Sequence, residues 1–158
     1  GAYPGISAEE RGIGEAIARN LKEFSALKTP VIAVIIGEGG SGGALGIGVG
    51  DYLIMLENTV YSVISPEGFA SILLRDAKKA EQAASLMKMT AYELRDFGIA
   101  DEVVPEPGGG AHTNPELTAS RIRERVLAAY APLRKRRSDV LIRERAKRIE
   151  AYGVFTGS

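Results

Sequence analysis

The feature that most restricts this chain is a run of six apolar residues, Val31-Ile32-Ala33-Val34-Ile35-Ile36, leading straight into Gly37-Glu38-Gly39-Gly40-Ser41-Gly42-Gly43. A continuous, mostly β-branched run predicts a strand covered on both faces, as in a parallel sheet. Five glycines in the next seven positions predict a turn at the end of that strand. Ala44 to Gly50 then reads as a short helix whose small side chains let it pack closely.

Four readings fit the glycine segment. Gly37, Gly39 and Gly42 match Gly-x-Gly-x-x-Gly after a strand, with Glu57 about twenty residues on as a ribose-binding acid. The helix that follows would carry Gly46, Gly48 and Gly50, each costing about 1 kcal/mol of helix stability. Gly39, Ser41 and Gly43 match Gly-x-Ser-x-Gly, the nucleophile elbow of serine hydrolases, with Asp101 and His112 to complete a triad. A third reading is a peptide oxyanion hole, in which backbone N–H groups and a helix N-terminus converge on developing negative charge. The fourth is a turn with glycines for packing alone. A phosphate loop is excluded because no lysine follows the glycines.

The rest of the chain alternates strand and helix signals, which predicts an α/β fold. Ser7 and Glu10 form a capping-box pattern, and Ile13, Ile17, Leu21 and Phe24 predict one amphipathic helix to about Leu27. Tyr52 to Leu56 and Val60 to Ile64 read as two strands joined at Asn58-Thr59. Ser65-Pro66 starts a helix, and another runs from about Lys78 to Lys88. Thr90 and Glu93 open a third that Gly98 ends, and Asp101 to Val104 is a short strand. A loop rich in Gly and Pro spans 105–115, Asn114-Pro115 opens a helix to about Arg134, and Ser138 opens the last to about Tyr152. The expected division is a core over residues 1–113 and a helical arm over 114–158.

Composition narrows the chemistry. The chain has no Cys and one His, so thiol nucleophiles, thiolate metal sites and multi-His metal sites are excluded within it. Twenty Lys and Arg balance twenty Asp and Glu, which argues against a general nucleic-acid or anionic-membrane binder. Lys135, Arg136, Arg137, Arg143, Arg145, Lys147 and Arg148 alternate with Asp139, Glu144 and Glu150, a pattern that reads as a solvated helix face. No apolar run is long enough to span a membrane. The opening Gly1-Ala2-Tyr3-Pro4-Gly5, without Met, reads as the start of a fragment.

Four blocks carry a resemblance: Gly1-Ala2-Tyr3-Pro4-Gly5, Gly37 to Leu45, Tyr61-Ser62-Val63-Ile64-Ser65-Pro66-Glu67-Gly68, and Pro105-Glu106-Pro107 with Gly109-Gly110-Ala111-His112. In order and spacing they resemble the carboxyltransferase α subunits of the multi-subunit acetyl-CoA carboxylases of bacteria and plastids. Phe69 and Gly108 depart from the usual Cys and Leu of those sequences. The resemblance implies a crotonase-like spiral of β-β-α units with a C-terminal helical extension, its upstream strands missing here. It implies an α₂β₂ assembly with a β subunit that carries the zinc ribbon, in the cytoplasm or plastid stroma. The implied reaction transfers the carboxyl group from carboxybiotin, on the biotin carboxyl carrier protein, to acetyl-CoA, giving malonyl-CoA for fatty-acid synthesis. Catalysis would rest on two oxyanion holes, and the one in this chain would hold the biotin ureido oxygen through a Gly-Gly pair. That pair is Gly39 and Gly40, with Gly42 and Gly43 next. Ser41 would then be a small turn residue at the substrate, and Tyr3 and Gly5 would belong to the loop that shapes the site wall. No metal ligand is implied.

Overall fold

The structure, a computed structural model, describes residues 5–153. The expectation for Tyr3 lies outside the described residues. Five strands and eight α-helices carry the described chain. β1 (Ile32–Ile35), β3 (Tyr52–Leu56) and β5 (Glu102–Val104) form a parallel sheet in the order β1-β3-β5. β2 (Glu38–Gly40) and β4 (Val60–Ser62) form a second, two-stranded parallel sheet. The two strands flanking Asn58-Thr59, β3 and β4, are therefore not a hairpin. The turn between them, held by the Thr59 hydroxyl donating to Leu56 O at 2.6 Å, passes the chain from one sheet to the other.

Alternation along the strands divides the core in two. Ala33, Ile35, Leu53 and Met55 pack on one face against Ala91, Leu94 and Ala100. Those residues belong to helix α6 (Ala91–Asp96) and the turn after it. Ile54, Leu56 and Val104 pack on the other face, with Ile32 and Val34, against Ile122 and Val126 of helix α7 (Pro115–Leu133). The strand of Val31–Ile36 is thus covered on both faces, except that Ile36 lies past its end and is 69% exposed.

Several expected helix signals hold. Asn114 accepts from Leu117 N at 3.0 Å with Pro115 in the first turn of α7. Glu93 reaches back to the N–H and hydroxyl of Thr90 at the start of α6. Gly98 ends α6 in the left-handed region, at φ +71°. No atom lies within 4 Å of where its Cβ would be, so Gly98→Ala tests backbone conformation alone. The expected loss is about 1–2 kcal/mol of unfolding free energy in urea titrations.

Two signals fail. The first helix is capped by Gly5 and not by Ser7, and it breaks into α1 (Ile6–Glu10) and α2 (Ile13–Ser25). Gly12 separates them in a left-handed conformation, φ +77°, that a continuous helix cannot contain. The glycine segment is also more ordered than a turn. Val60 N donates to Gly37 O, and pairing with β4 makes Glu38-Gly39-Gly40 a strand. Helix α3 (Ser41–Gly48) therefore starts three residues earlier than expected.

Helix α8 (Ser138–Glu150) corrects the reading of the basic residues. Arg145 is 1% exposed, not part of a solvated face. Its guanidinium grips Asp51 at 2.8 and 3.1 Å and donates to the carbonyls of Phe24, Ser25, Leu27 and Thr29. Asp51 in turn accepts from Val31 N at 2.7 Å. One turn on, Arg148 pairs with Asp101, which accepts from Leu53 N at 2.6 Å. Two aspartates just before β3 and β5 thus tie strand starts to one helix. Burial works to lower the Arg148 pKa, but the hydrogen bonds and charges of Asp101 and Tyr152 together outweigh it and hold that pKa above its ordinary value.

Candidate functional site

A cleft of about 710 Å³ opens beside the second sheet. One wall is β2 and the start of α3, contributing Glu38, Gly39, Gly40 and Ser41. The other is β4 and the start of helix α4 (Pro66–Phe69), from Val60 through Ser62 to Glu67. Met89 closes it from the segment where Met89 O accepts from Tyr61 N at 3.0 Å. Parallel pairing of Gly39 with Tyr61 and Gly40 with Ser62 brings the two walls together.

The two helix starts differ. In α4 the Ser65 hydroxyl accepts from Gly68 N at 3.2 Å, so that end is capped. In α3 the cap position is Gly40, and no side chain caps the leading amides. Those amides carry the partial positive charge of a helix N-terminus, which favours an approaching oxygen. Ser41, exposed at the cleft, has φ +62°, which costs a non-glycine residue about 1–2 kcal/mol.

The two glycines of β2 do different work. A Cβ on Gly39 would stand 2.8 Å from Tyr61 Cδ2 and 3.2 Å from Ile35 Cδ1, so Gly39 makes room for packing. A Cβ on Gly40 would meet nothing within 4 Å. Gly40 has ordinary extended backbone, φ −122° and ψ 152°, and so needs glycine for neither conformation nor packing. Its missing side chain leaves the cleft open beside the uncapped amides.

The other expected residues distribute as follows. Gly42 and Gly43 sit in the first turn of α3, behind the cleft lining, with Gly42 packed against Ile17 of α2. Gly5 caps α1 and is not among the cleft residues. Ser41, Asp101 and His112 do not assemble. His112 lines a separate apolar pocket with Ile36, Leu56 and Ile122, and Asp101 lines a third pocket with Arg148. The acid of the dinucleotide reading, Glu57, is occupied accepting from Glu106 N. Among the described residues no group of three or more His, Asp or Glu side chains could hold a metal ion.

Residue-by-residue reading passed over the opposite wall. Ser62, Ser65, Pro66 and Glu67 lie in a block that carries the resemblance, but beyond the helix start at Ser65-Pro66 no role was expected of them, and Met89 carried no signal. Tyr61 was also missed. Its hydroxyl donates to Ala44 O at 3.2 Å, and burial, reinforced by Tyr152 and opposed by Arg148, pushes its pKa up.

A model of the "Acetyl co-enzyme A carboxylase carboxyltransferase-like" family matches residues 1–153. The chain belongs to that family. The carboxyltransferase-like chain is 58% identical, over 99% of its length, to 51% of the acetyl-coenzyme A carboxylase carboxyl transferase subunit alpha of Treponema denticola. It spans about half the length of the curated relatives it matches. Among solved structures, it resembles a chain of the Pseudomonas malonate decarboxylase hetero-tetramer, solved with coenzyme A (22% identity, TM-score 0.69, 95% of this chain and 60% of that one). It also resembles the transcarboxylase 12S hexamer, solved with methylmalonyl-coenzyme A and methylmalonic acid (26% identity, TM-score 0.62, 85% of this chain and 26% of that one). The fold of this carboxyltransferase-like chain is crotonase-like.

Proposed function

We propose that this chain supplies the biotin-binding half of an acetyl-CoA carboxyltransferase site, working with a separate β subunit in an α₂β₂ assembly. The observation that carries the reading is Gly40, side-chain-free for no conformational or packing reason, at the head of an uncapped helix in an open cleft. Such a cradle fits a planar ureido group whose oxygen accepts from backbone N–H groups. Carboxybiotin on its carrier protein would supply the carboxyl group for transfer to acetyl-CoA, giving malonyl-CoA for fatty-acid synthesis. The chain's own part is to hold fixed donors at the edge of β2 and the start of α3, where negative charge develops on the ureido oxygen. Fixed donors of this kind need no reorganisation as charge appears. Gly39 and Gly40 are the donor pair on this reading, with Gly42 and Gly43 the next in line. The polar groups for the thioester oxygen of acetyl-CoA would come from the partner. No helix among the described residues is long and apolar enough to cross a membrane, and the proposed setting is the cytoplasm or plastid stroma.

The test is malonyl-CoA-dependent carboxylation of a biotin derivative, the reverse reaction, by the full-length α chain mixed with its β subunit. Size-exclusion chromatography follows complex formation in the same sample. Turnover is expected only when both chains are present. A folded full-length chain that gives neither complex nor turnover sinks the reading. Covalent labelling of Ser41 by a fluorophosphonate would point instead to hydrolase chemistry.

A further inference from the structure

Helix α3 is poorly equipped to hold its own position. Four of its eight residues are glycines (Gly42, Gly43, Gly46 and Gly48), which lower helix propensity, and its N-terminus has no side-chain cap. Its pose must come from what it is pressed against. On one side is α2, with Gly42 against Ile17 and Gly46 against Asn20. On the other, Tyr61 of β4 packs against it.

Tyr61 spans the site. Its backbone is pinned in β4 opposite Gly39, with its N–H on Met89 O. Its ring lies on Gly39, where a Cβ would stand 2.8 Å from Cδ2. Its far end reaches the last turn of α3, where a Cβ on Gly48 would stand 2.1 Å from the hydroxyl and 3.0 Å from Cζ. The hydroxyl donates to Ala44 O at 3.2 Å, the only side-chain hydrogen bond to α3 among the described residues. Two glycines nine positions apart in the sequence thus serve one ring, and the ring bridges the donor strand to the donor helix.

We infer that Tyr61 is a positioning residue for the site, fixing α3 against β2 so that the leading amides of the helix and the open face of Gly40 address the same point. It does not touch the reacting atoms, since its hydroxyl is turned to Ala44 O. The inference rests on the functional reading above only for its kinetic consequence. Donors that match charge present only in the transition state change kcat when they are mis-aimed, while ground-state binding is little affected.

Tyr61→Phe keeps the ring and removes the hydroxyl. In the full-length chain with its β subunit we expect kcat of the reverse reaction to fall about tenfold, KM for the biotin derivative to stay within about twofold, and the melting temperature to stay within a few degrees. Hydrogen exchange on the same samples supplies a readout independent of activity. The amides of Ala44 to Gly48 should exchange about tenfold faster in Tyr61→Phe, while those of β1 and β3 stay unchanged. Tyr61→Leu, lacking both ring and hydroxyl, should lose more activity, so that Phe is a partial rescue. Unchanged exchange in α3 overturns the inference, and so does wild-type kcat in Tyr61→Phe from an active wild-type complex. An inactive wild-type complex with the α3-specific exchange change sinks the functional reading and leaves the positioning role standing.

Discussion

Arg145→Ala is expected to cost the fold about 3–5 kcal/mol, the size seen when one member of a buried ion pair is removed. Side-chain exposure is 1% for Arg145 and 4% for Asp51, so water does not screen the pair. The substitution leaves the Asp51 carboxylate buried with, among the described residues, only Val31 N as a donor, and strips the Arg145 donors from four carbonyls at the end of α2 and the turn after it. Of those carbonyls Phe24 O keeps a backbone donor, Leu27 N at 3.3 Å; the other three belong to a helix C-terminus and a loop, where backbone N–H partners are scarce. A loss of this size is a large share of the 5–15 kcal/mol that holds an ordinary domain together. Urea unfolding followed by circular dichroism should find the midpoint of the variant well below that of wild type. Arg145→Lys should recover only part, because an ammonium has three donors and no planar fork to serve a carboxylate and four carbonyls together. Arg148→Ala should cost much less, since Arg148 and Asp101 are 16% and 27% exposed. A melt of Arg145→Ala within about 1 kcal/mol of wild type would mean that α8 is not locked through this residue.

What the sequence discloses depends on how local each cause is. The apolar run 31–36, the Thr90–Glu93 box, the Gly98 stop and the Asn114-Pro115 start act within a few residues, and the structure has each of them in the expected role. Other features depend on distant partners. Glu38-Gly39-Gly40 is a strand only because β4 lies alongside, and no propensity scale would assign one to two adjacent glycines. Arg145 looks like its neighbours Arg143 and Lys147 in a charged helix, and only Asp51, 94 positions away, makes it a core residue. The same distinction divides the cleft. Gly39, Gly40 and Ser41 stood out because glycines cluster visibly. Ser62, Glu67 and Met89 became cleft residues through the β2–β4 pairing. The roles of Gly39 and Gly48 were invisible until Tyr61 was seen between them.

The difference between Gly39 and Gly40 gives the sharpest test of the donor site. Gly40→Val should fold, because the residue has extended backbone that suits a β-branched side chain and its Cβ meets nothing within 4 Å. The isopropyl group would instead stand in the cleft, beside the uncapped start of α3. Turnover with the β subunit should fall at least about a hundredfold, since losing a single oxyanion donor already costs about 10²–10³ in rate. The melting temperature should move by no more than a few degrees. Gly40→Ala, with one methyl group, should retain intermediate activity. Gly39→Val should fail differently. Its side chain would press into Tyr61 and Ile35, and overpacking of that kind costs about 1–3 kcal/mol. Gly39→Val should therefore melt early and lose activity in proportion to its folded fraction and to the displacement of Tyr61. Paired melts and reverse-reaction rates separate the cases. A stable, inactive Gly40→Val beside a destabilised Gly39→Val supports a cleft built for an oxygen-bearing substrate at Gly40. A stable Gly40→Val with normal turnover would move the reactive oxygen away from β2, and the amides of Gly42 and Gly43, deeper in α3, would then be the pair to test.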